Sequence, residues 1–144
     1  MRVFLFEDDQ AVRHAIEDWL ERRGHESISF SQADTFCHSL EACPCVEGET
    51  CGDLILCDLR LPGKTGLELM RELLGKGCRA QHKALMSGWW SPDSLAEAAE
   101  LEVAVFKKPV ELGKILKWIE SCADKVAKTP CPRVDHFRKH ALGT

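Results

Sequence analysis

The chain has 144 residues and a formal net charge of −4, with 44% hydrophobic and 29% charged residues. This length suits one compact domain, and the composition is too apolar for an intrinsically disordered chain. No apolar run approaches the roughly 18 residues of a membrane span, and the short run at residues 3–6 meets acidic residues at once, which excludes a secretory signal. We therefore expect a cytoplasmic domain without membrane association, whose eight Cys are reduced thiols.

The charge is unevenly distributed along the chain. Residues 123–144 contain five basic and two acidic residues and carry +3, so residues 1–122 carry −7. A domain this acidic is poorly suited to bind nucleic acid directly, whereas it suits a cation. We therefore expect no direct nucleic-acid binding by this chain.

The first half of the chain predicts two strands and two helices. Residues 2–7 form an apolar strand, and residues 10–23 carry apolar side chains at helical spacing. Asp9 is the expected N-cap of this helix, and Gly24 is expected to end it. A second strand at 25–30, a second helix at 31–42 and a loop at 43–52 follow.

The second half predicts three more pairs of a strand and a helix. Thr65 and Glu68 form a capping box at the start of the third helix, and Ser91 followed by Pro92 begins the fourth. The remaining strands are expected at 53–58, 83–87 and 102–107, and the last two helices at 92–101 and about 110–127. Residues 128–144 are predicted to be a linker or a disordered tail, so the domain spans residues 1–127.

Five strands alternating with five helices predict an α/β fold, in which helices cover both faces of a five-stranded parallel sheet. In such doubly wound sheets, ligands bind beyond the carboxyl ends of the strands. The polar residues at those ends are Glu7, Asp8, Asp9, Asp58, Ser87, Lys107 and Lys108. We expect Asp9 to be a helix cap and Lys107 a solvated neighbour of Lys108.

Four segments together, "VFLFEDDQ", "LILCDLRLPGKTGLEL", "ALMSG" and "VFKKP", resemble the receiver domain of two-component response regulators over about residues 1–122. The resemblance implies a flavodoxin-like sheet with strand order 2-1-3-4-5. It implies that Asp58 is the phosphoacceptor, that Ser87 binds the phosphoryl group and that Lys108 is the essential lysine. Glu7, Asp8, Asp58 and the backbone carbonyl of Arg60 are implied ligands of Mg²⁺, with Mn²⁺ as a substitute.

The resemblance also implies the biological role. The phosphoryl donor would be a sensor histidine kinase or a histidine phosphotransfer protein, and the chain would catalyse only its own phosphorylation and dephosphorylation. The switch would act on the surface of helix 4, strand 5 and helix 5 (92–101, 102–107 and 110–127), which we call the output face, and which is a candidate homodimer interface. The chain is either a single-domain regulator or the receiver of a longer transcription factor.

Several residues depart from the family pattern. Val105 stands where the family usually has an aromatic residue that couples to Ser87, and alternation along the strand points Phe106 to the opposite face. Trp89 and Trp90 follow Ser87 and are either a partner anchor or a cover for their own loop. Cys43, Cys45 and Cys51 lie near His38, but their spacing is not a standard zinc pattern, so free thiols are expected.

Three other functions fit the sequence less well. An interaction module without phosphorylation would not need the acidic pair, Asp58, Ser87 and Lys108 together. A phosphatase with an aspartate nucleophile needs a second acid two residues later, where this chain has Arg60. A flavin-binding flavodoxin shares the topology, but the acidic residues after strand 1 would repel the phosphate of the flavin.

Overall fold

The computed structural model describes residues 1–33, 52–108 and 112–125. Most of the predicted second helix, the segment with Cys43, Cys45 and Cys51, and the tail at 128–144 lie outside these residues. The predictions for those segments, including the end of the domain at residue 127, therefore stay predictions. Within the described ranges, no helix is long and apolar enough to cross a membrane.

The strands form one parallel sheet in the order β2-β1-β3-β4-β5. This order confirms the predicted doubly wound α/β fold with strand order 2-1-3-4-5. The bounds are β1 Arg2–Phe6, β2 Glu26–Phe30, β3 Leu54–Asp58, β4 His82–Ser87 and β5 Ala104–Lys107.

Four helices connect and flank these strands in the described residues. They are α1 Gln10–Arg22, α2 Gly66–Gly75, α3 Pro92–Glu100 and α4 Leu112–Ala123. Because the predicted second helix is not described, α2 to α4 correspond to the third, fourth and fifth predicted helices. The output face is therefore formed by α3, β5 and α4.

The helices begin where local sequence signals predict. The Asp9 side chain accepts hydrogen bonds from the first turn of α1, and Thr65 and Glu68 form a reciprocal capping box on α2. Ser91 caps α3, with Pro92 at the first helical position. The predicted start signals of these three helices are therefore confirmed.

The start of β5 differs from the prediction of a strand from residue 102. The Glu102 amide donates to Ala99 O and the Val103 amide donates to Ala98 O, which closes the end of α3. Glu102 adopts φ 56° to make this closure. The first two residues of the predicted strand therefore belong to the end of the helix, and β5 begins at Ala104.

The sheet separates two apolar clusters because alternate strand residues point to opposite faces. One face carries Phe6, Ile55 and Leu85 and packs against α2 and α3. The other carries Leu5, Leu56 and Met86 and packs against α1 and α4. Burying both faces explains why the inner strands are apolar throughout. Their polar residues are concentrated at the strand ends, and this concentration creates the site described next.

Candidate functional site

Three carboxylates converge at the carboxyl edge of the sheet. One oxygen from each of Glu7, Asp8 and Asp58 lies within 4.8 Å of the others. Glu7 follows β1, Asp58 ends β3, and the two strands are neighbours in the sheet, so their ends bring these side chains together. Glu7 is completely buried and Asp58 is 7% exposed, whereas Asp8 is exposed to solvent.

Glu7 is a buried acid held on several sides. Its Oε1 accepts from the Asp9 amide at 3.1 Å, and its Oε2 accepts from Lys108 Nζ at 3.0 Å. The Arg13 guanidinium donates to the Glu7 carbonyl at 2.8 Å. Burial raises the pKa of Glu7, and the charge of Asp58 adds to this effect, while the bonds from Lys108 and the Asp9 amide oppose it.

Lys108 places an ammonium between two carboxylates. Its Nζ lies 2.6 Å from Asp58 Oδ2 and 3.0 Å from Glu7 Oε2. Burial of the ammonium lowers its pKa, but the bonds to Asp58 and Glu7 outweigh burial, so the pKa of Lys108 is raised. The position is fixed from the backbone, since the Lys108 amide donates to Ser87 O at 2.7 Å.

Asp58 is fixed by the chain on both sides of it. Its Oδ1 accepts from the Arg60 amide at 3.1 Å, and Oδ2 accepts from Lys108. The loop after Asp58 closes where the Gly66 amide donates to Leu59 O at 2.7 Å. A Cβ on Gly66 would lie 2.7 Å from Asp58 O, so the close approach of α2 to the end of β3 requires glycine here.

Ser87 ends β4 at the same edge and is 2% exposed. Its hydroxyl donates to Trp89 O at 2.8 Å and accepts from the Trp89 amide at 3.3 Å. The hydroxyl is thus engaged with the backbone of its own loop. The two tryptophans differ in their surroundings: Trp89 is 64% exposed, whereas the Trp90 ring packs against the cluster beneath α2 and α3.

The structure therefore brings Lys108 into contact with Glu7 and Asp58, places an oxygen of Asp8 within 4.8 Å of both acids, and places Ser87 at the same edge. Arg60 contributes its amide to Asp58, and the sequence did not predict this contact. The contact of Arg13 with Glu7 was also missed, because nothing in the spacing of α1 marks it. Lys107 is exposed, as expected of a solvated neighbour.

The chemistry of this site follows from its charges. Two carboxylates about 4 Å apart repel by roughly 4 kcal/mol at an effective dielectric of 20, and Lys108 offsets that repulsion for Glu7 and Asp58. Asp8 completes a set of hard oxygen donors of the kind that Mg²⁺ prefers. The residues present therefore fit a divalent cation.

A comparison with known families distinguishes between the functions that the sequence left possible for this fold. The profile of the family described as "Response regulator receiver domain" matches residues 3–120. The chain belongs to this family. The prediction made from four short sequence segments is thereby confirmed, and the chain is a receiver domain of a two-component response regulator.

Curated relatives of the receiver are longer proteins. The transcriptional regulatory protein MalR of Bacillus subtilis is 32% identical over 115 residues, which cover 80% of this chain and 42% of MalR. The transcriptional regulatory protein AruR of Pseudomonas aeruginosa is 35% identical over 74 residues, covering 50% of this chain and 29% of AruR. The chain spans less than half the length of these relatives.

Solved structures of receivers share the fold. The non-phosphorylated HemR receiver domain from Leptospira biflexa gives a TM-score of 0.71 at 22% identity and covers 84% of this chain and 92% of its own. A response regulator receiver protein from Pseudomonas putida gives a TM-score of 0.69 at 24% identity, covering 83% and 95%. At these identities the likeness concerns the fold alone.

Proposed function

We propose that this receiver accepts a phosphoryl group from a phosphohistidine onto Asp58. The observation that carries the proposal is the contact of Lys108 Nζ with both Asp58 Oδ2, at 2.6 Å, and Glu7 Oε2, at 3.0 Å. A lysine directed at a nearly buried aspartate stabilises the charge that a phosphoryl group brings to that aspartate. Asp8 adds an exposed carboxylate on the open side of the same cluster.

The proposed reaction is a direct phosphoryl transfer. A carboxylate oxygen of Asp58 forms a bond to phosphorus while the bond from phosphorus to the histidine nitrogen breaks. The bonding pair stays on that nitrogen, and the imidazole, which carries its proton on the other ring nitrogen, leaves as the neutral base. Little covalent chemistry is asked of the protein, so catalysis consists of positioning and charge stabilisation. The Arg60 amide and Lys108 hold the Asp58 carboxylate in place.

The proposed ligands of Mg²⁺, or of Mn²⁺ in its place, are Glu7, Asp8, Asp58 and the carbonyl of Arg60. When bound, the ion supplies positive charge that neutralises the carboxylates and the phosphoryl oxygens. Lys108 binds a phosphoryl oxygen on one side, and the Ser87 hydroxyl donates to another. The receiver thereby catalyses only its own phosphorylation and dephosphorylation.

The test is phosphorylation by a small donor. We expect acetyl phosphate with Mg²⁺ to add the mass of one phosphoryl group to the wild-type chain, and we expect Asp58→Asn to abolish the gain. Asp9→Asn is the matched control, because it removes an acid from the same edge while asparagine still caps α1. Labelling of Asp58→Asn at the wild-type level would refute the assignment.

The proposed partners follow from the same chemistry. The phosphoryl donor is a sensor histidine kinase or a histidine phosphotransfer protein, and a homodimer formed through the output face is the proposed response. The names of MalR and AruR support a role in transcription regulation, in which a part beyond this receiver carries the output. We also propose a cytoplasmic location, and the acidic body of the chain favours a receiver that does not itself bind nucleic acid.

A further inference from the structure

We propose that Trp90 is a positioning residue that couples the Ser87 hydroxyl to β5, so that a phosphoryl group on Asp58 releases the Trp90 indole from Phe106. The inference rests on the proposed function, because it requires Ser87 to bind a phosphoryl oxygen. It concerns a side chain that contacts neither the carboxylates nor Lys108.

The first step concerns the single proton of the Ser87 hydroxyl. That proton is donated to Trp89 O at 2.8 Å. A hydroxyl has one proton to donate, so Ser87 cannot donate to Trp89 O and to a phosphoryl oxygen at the same time. A hydrogen bond to an ionised acceptor is roughly twice as strong as a neutral one. The phosphoryl oxygen therefore displaces Trp89 O as the acceptor.

The second step passes along one peptide bond. The carbonyl of Trp89 and the backbone nitrogen of Trp90 belong to the same planar peptide unit. When the carbonyl loses its donor and turns, the backbone nitrogen of Trp90 turns with it, and the φ angle of Trp90 changes. The change at Ser87 therefore reaches Trp90 without any intervening side chain.

The third step is the attachment of Trp90 to β5. Its Nε1 donates to Phe106 O at 3.2 Å, and its ring is half-buried against the cluster beneath α2 and α3. A distance of 3.2 Å is at the long end of the range for such hydrogen bonds. A small displacement of the Trp90 backbone is therefore enough to break the contact, and β5 loses its side-chain link to the loop.

Other side chains nearby are placed less well for this coupling. Val105 is 40% exposed and carries no donor, and the Phe106 ring packs against Trp118 on the opposite face of the sheet. Trp89 contacts Ser87 through its backbone, while its ring is largely in solvent. Among the residues that the structure describes here, the Trp90 side chain joins this loop to β5.

The experiment follows the indole protons of the four Trp residues by NMR. The signals are assigned with single Trp→Phe variants, and the probe is Mg²⁺ with beryllofluoride, which imitates a phosphoryl group on an aspartate. We expect exchange of the Trp90 Nε1 proton with water to become several-fold faster and its resonance to shift. The resonances of Trp19 and Trp118, which lie on the other face, keep their positions.

Two variants distinguish the role of the Trp90 indole donor from that of the Trp89 side chain. Trp90→Phe keeps an aromatic ring but removes the donor to Phe106 O, so the shifts of the Val105 and Phe106 amides on adding the probe should be lost. Trp89→Phe keeps the backbone that contacts Ser87, so the response of the Trp90 indole should persist. In both variants the amides of Asp58 and Arg60 should still respond.

Each outcome has one meaning. If the Asp58 and Arg60 amides do not respond in the wild-type chain, the proposed function fails. If they respond while the Trp90 indole stays protected and unshifted, the phosphoacceptor assignment stands and the coupling through Trp90 is overturned. A loss of the Trp90 response in Trp89→Phe also overturns it, because the exposed ring would then be the coupling element.

Discussion

At the scale of single residues, the two consecutive aspartates after Glu7 have different tasks. Asp8 contributes an oxygen to the carboxylate cluster, whereas Asp9 accepts the Ala11 and Val12 amides at the start of α1. We expect Asp8→Asn to weaken Mg²⁺ binding by more than about tenfold, since losing even an outer partner of a metal site costs that much. Asp9→Asn should bind nearly as the wild type. Calorimetric titration checks both, and equal losses would contradict the distinction.

The buried acid Glu7 predicts a pH dependence of stability in the metal-free chain. Its pKa is raised above the ordinary value of 4.5, chiefly by burial. The folded chain therefore holds this proton more tightly than the unfolded chain, so the free energy of unfolding falls as pH rises from about 4.5 through the folded pKa. Above the folded pKa of Glu7, the ionised carboxylate lowers the free energy of unfolding by its full amount.

It follows that Glu7→Gln should stabilise the metal-free chain at pH 7 by a few degrees in Tm, with a smaller gain near the low end of the window. Saturation with Mg²⁺ at one hundred times its Kd should add about 2.7 kcal/mol to the wild type and little to Glu7→Gln. Urea unfolding with a chelator and with Mg²⁺ measures both effects. The exposed Glu21→Gln is the control, and a less stable metal-free Glu7→Gln would contradict the prediction.

Arg60 and Trp89 bear on how long a phosphorylated state lasts. Their side chains are exposed, the Arg60 amide contacts Asp58 and the Trp89 amide contacts Ser87. The family resemblance implies that both residues flank the approach of water to Asp58. Neither side chain carries an acid or amide to orient an attacking water, and Trp89 is bulky enough to shield the site. We expect a long-lived phosphorylated state that decays several-fold faster in Trp89→Ala and Arg60→Asn.

The decay is measured as loss of phosphorylated mass with time after the donor is removed. Lys107→Ala serves as the control, since that side chain is exposed and outside the cluster. Unchanged or slower decay in Trp89→Ala would show that the ring does not shield the phosphoryl group.

At the scale of elements, three helices end in the same way but with different residues. Gly24 after α1 and Gly77 after α2 adopt φ 78° and 85°, whereas Glu102 adopts φ 56° after α3. Glycine adopts this conformation without strain. In other residues the Cβ atom comes too close to the backbone, and this contact costs free energy. Glu102→Gly should therefore stabilise the chain by about 1 kcal/mol.

Ala96→Gly, on the exposed face of the same helix, is the matched control. It should destabilise the chain by about 1 kcal/mol, because glycine is unfavourable in a helix interior. Denaturant unfolding of the two variants decides the matter: if both lose stability, the end of α3 is not strained.

The same helix end explains what local sequence could predict. Helix starts are signalled by side chains that bond within three residues, as at Thr65 and Glu68, so they could be predicted. The end of α3 has the usual backbone bonds but no glycine, so the start of β5 was misplaced. The contacts of Arg13 with Glu7 and of Trp90 with Phe106 depend on tertiary packing, which periodicity does not encode.

The site was predictable for a related reason. In a parallel sheet the carboxyl ends of all strands share one edge, so strand order alone brings Asp58 and Glu7 together. The roles of the residues came from the family resemblance. Distances, burial and the bond of the Arg60 amide to Asp58 needed coordinates, because they depend on how the loop after β3 folds back onto Gly66.

At the scale of the whole molecule, the output face offers apolar contacts for a second copy of the chain. Leu95 on α3, Val105 on β5 and Leu112 at the start of α4 are 43%, 40% and 36% exposed. We expect phosphorylation to increase self-association through this face, measured as a rise in sedimentation coefficient with Mg²⁺ and beryllofluoride. Leu95→Lys should prevent the rise, whereas Leu74→Lys, on α2, should not.

The contact of Lys108 with two buried acids also constrains how the sequence of this chain can evolve. Removing Lys108 alone would leave Glu7 and Asp58 facing each other without a counter-charge, and breaking a buried ion pair in this way costs about 3–5 kcal/mol. Replacing both acids and the lysine together by apolar residues of similar volume carries no such penalty. A lineage that abandoned phosphorylation would therefore be expected to lose Lys108 only after or together with the acids, and a descendant that keeps both acids without the lysine should fold poorly.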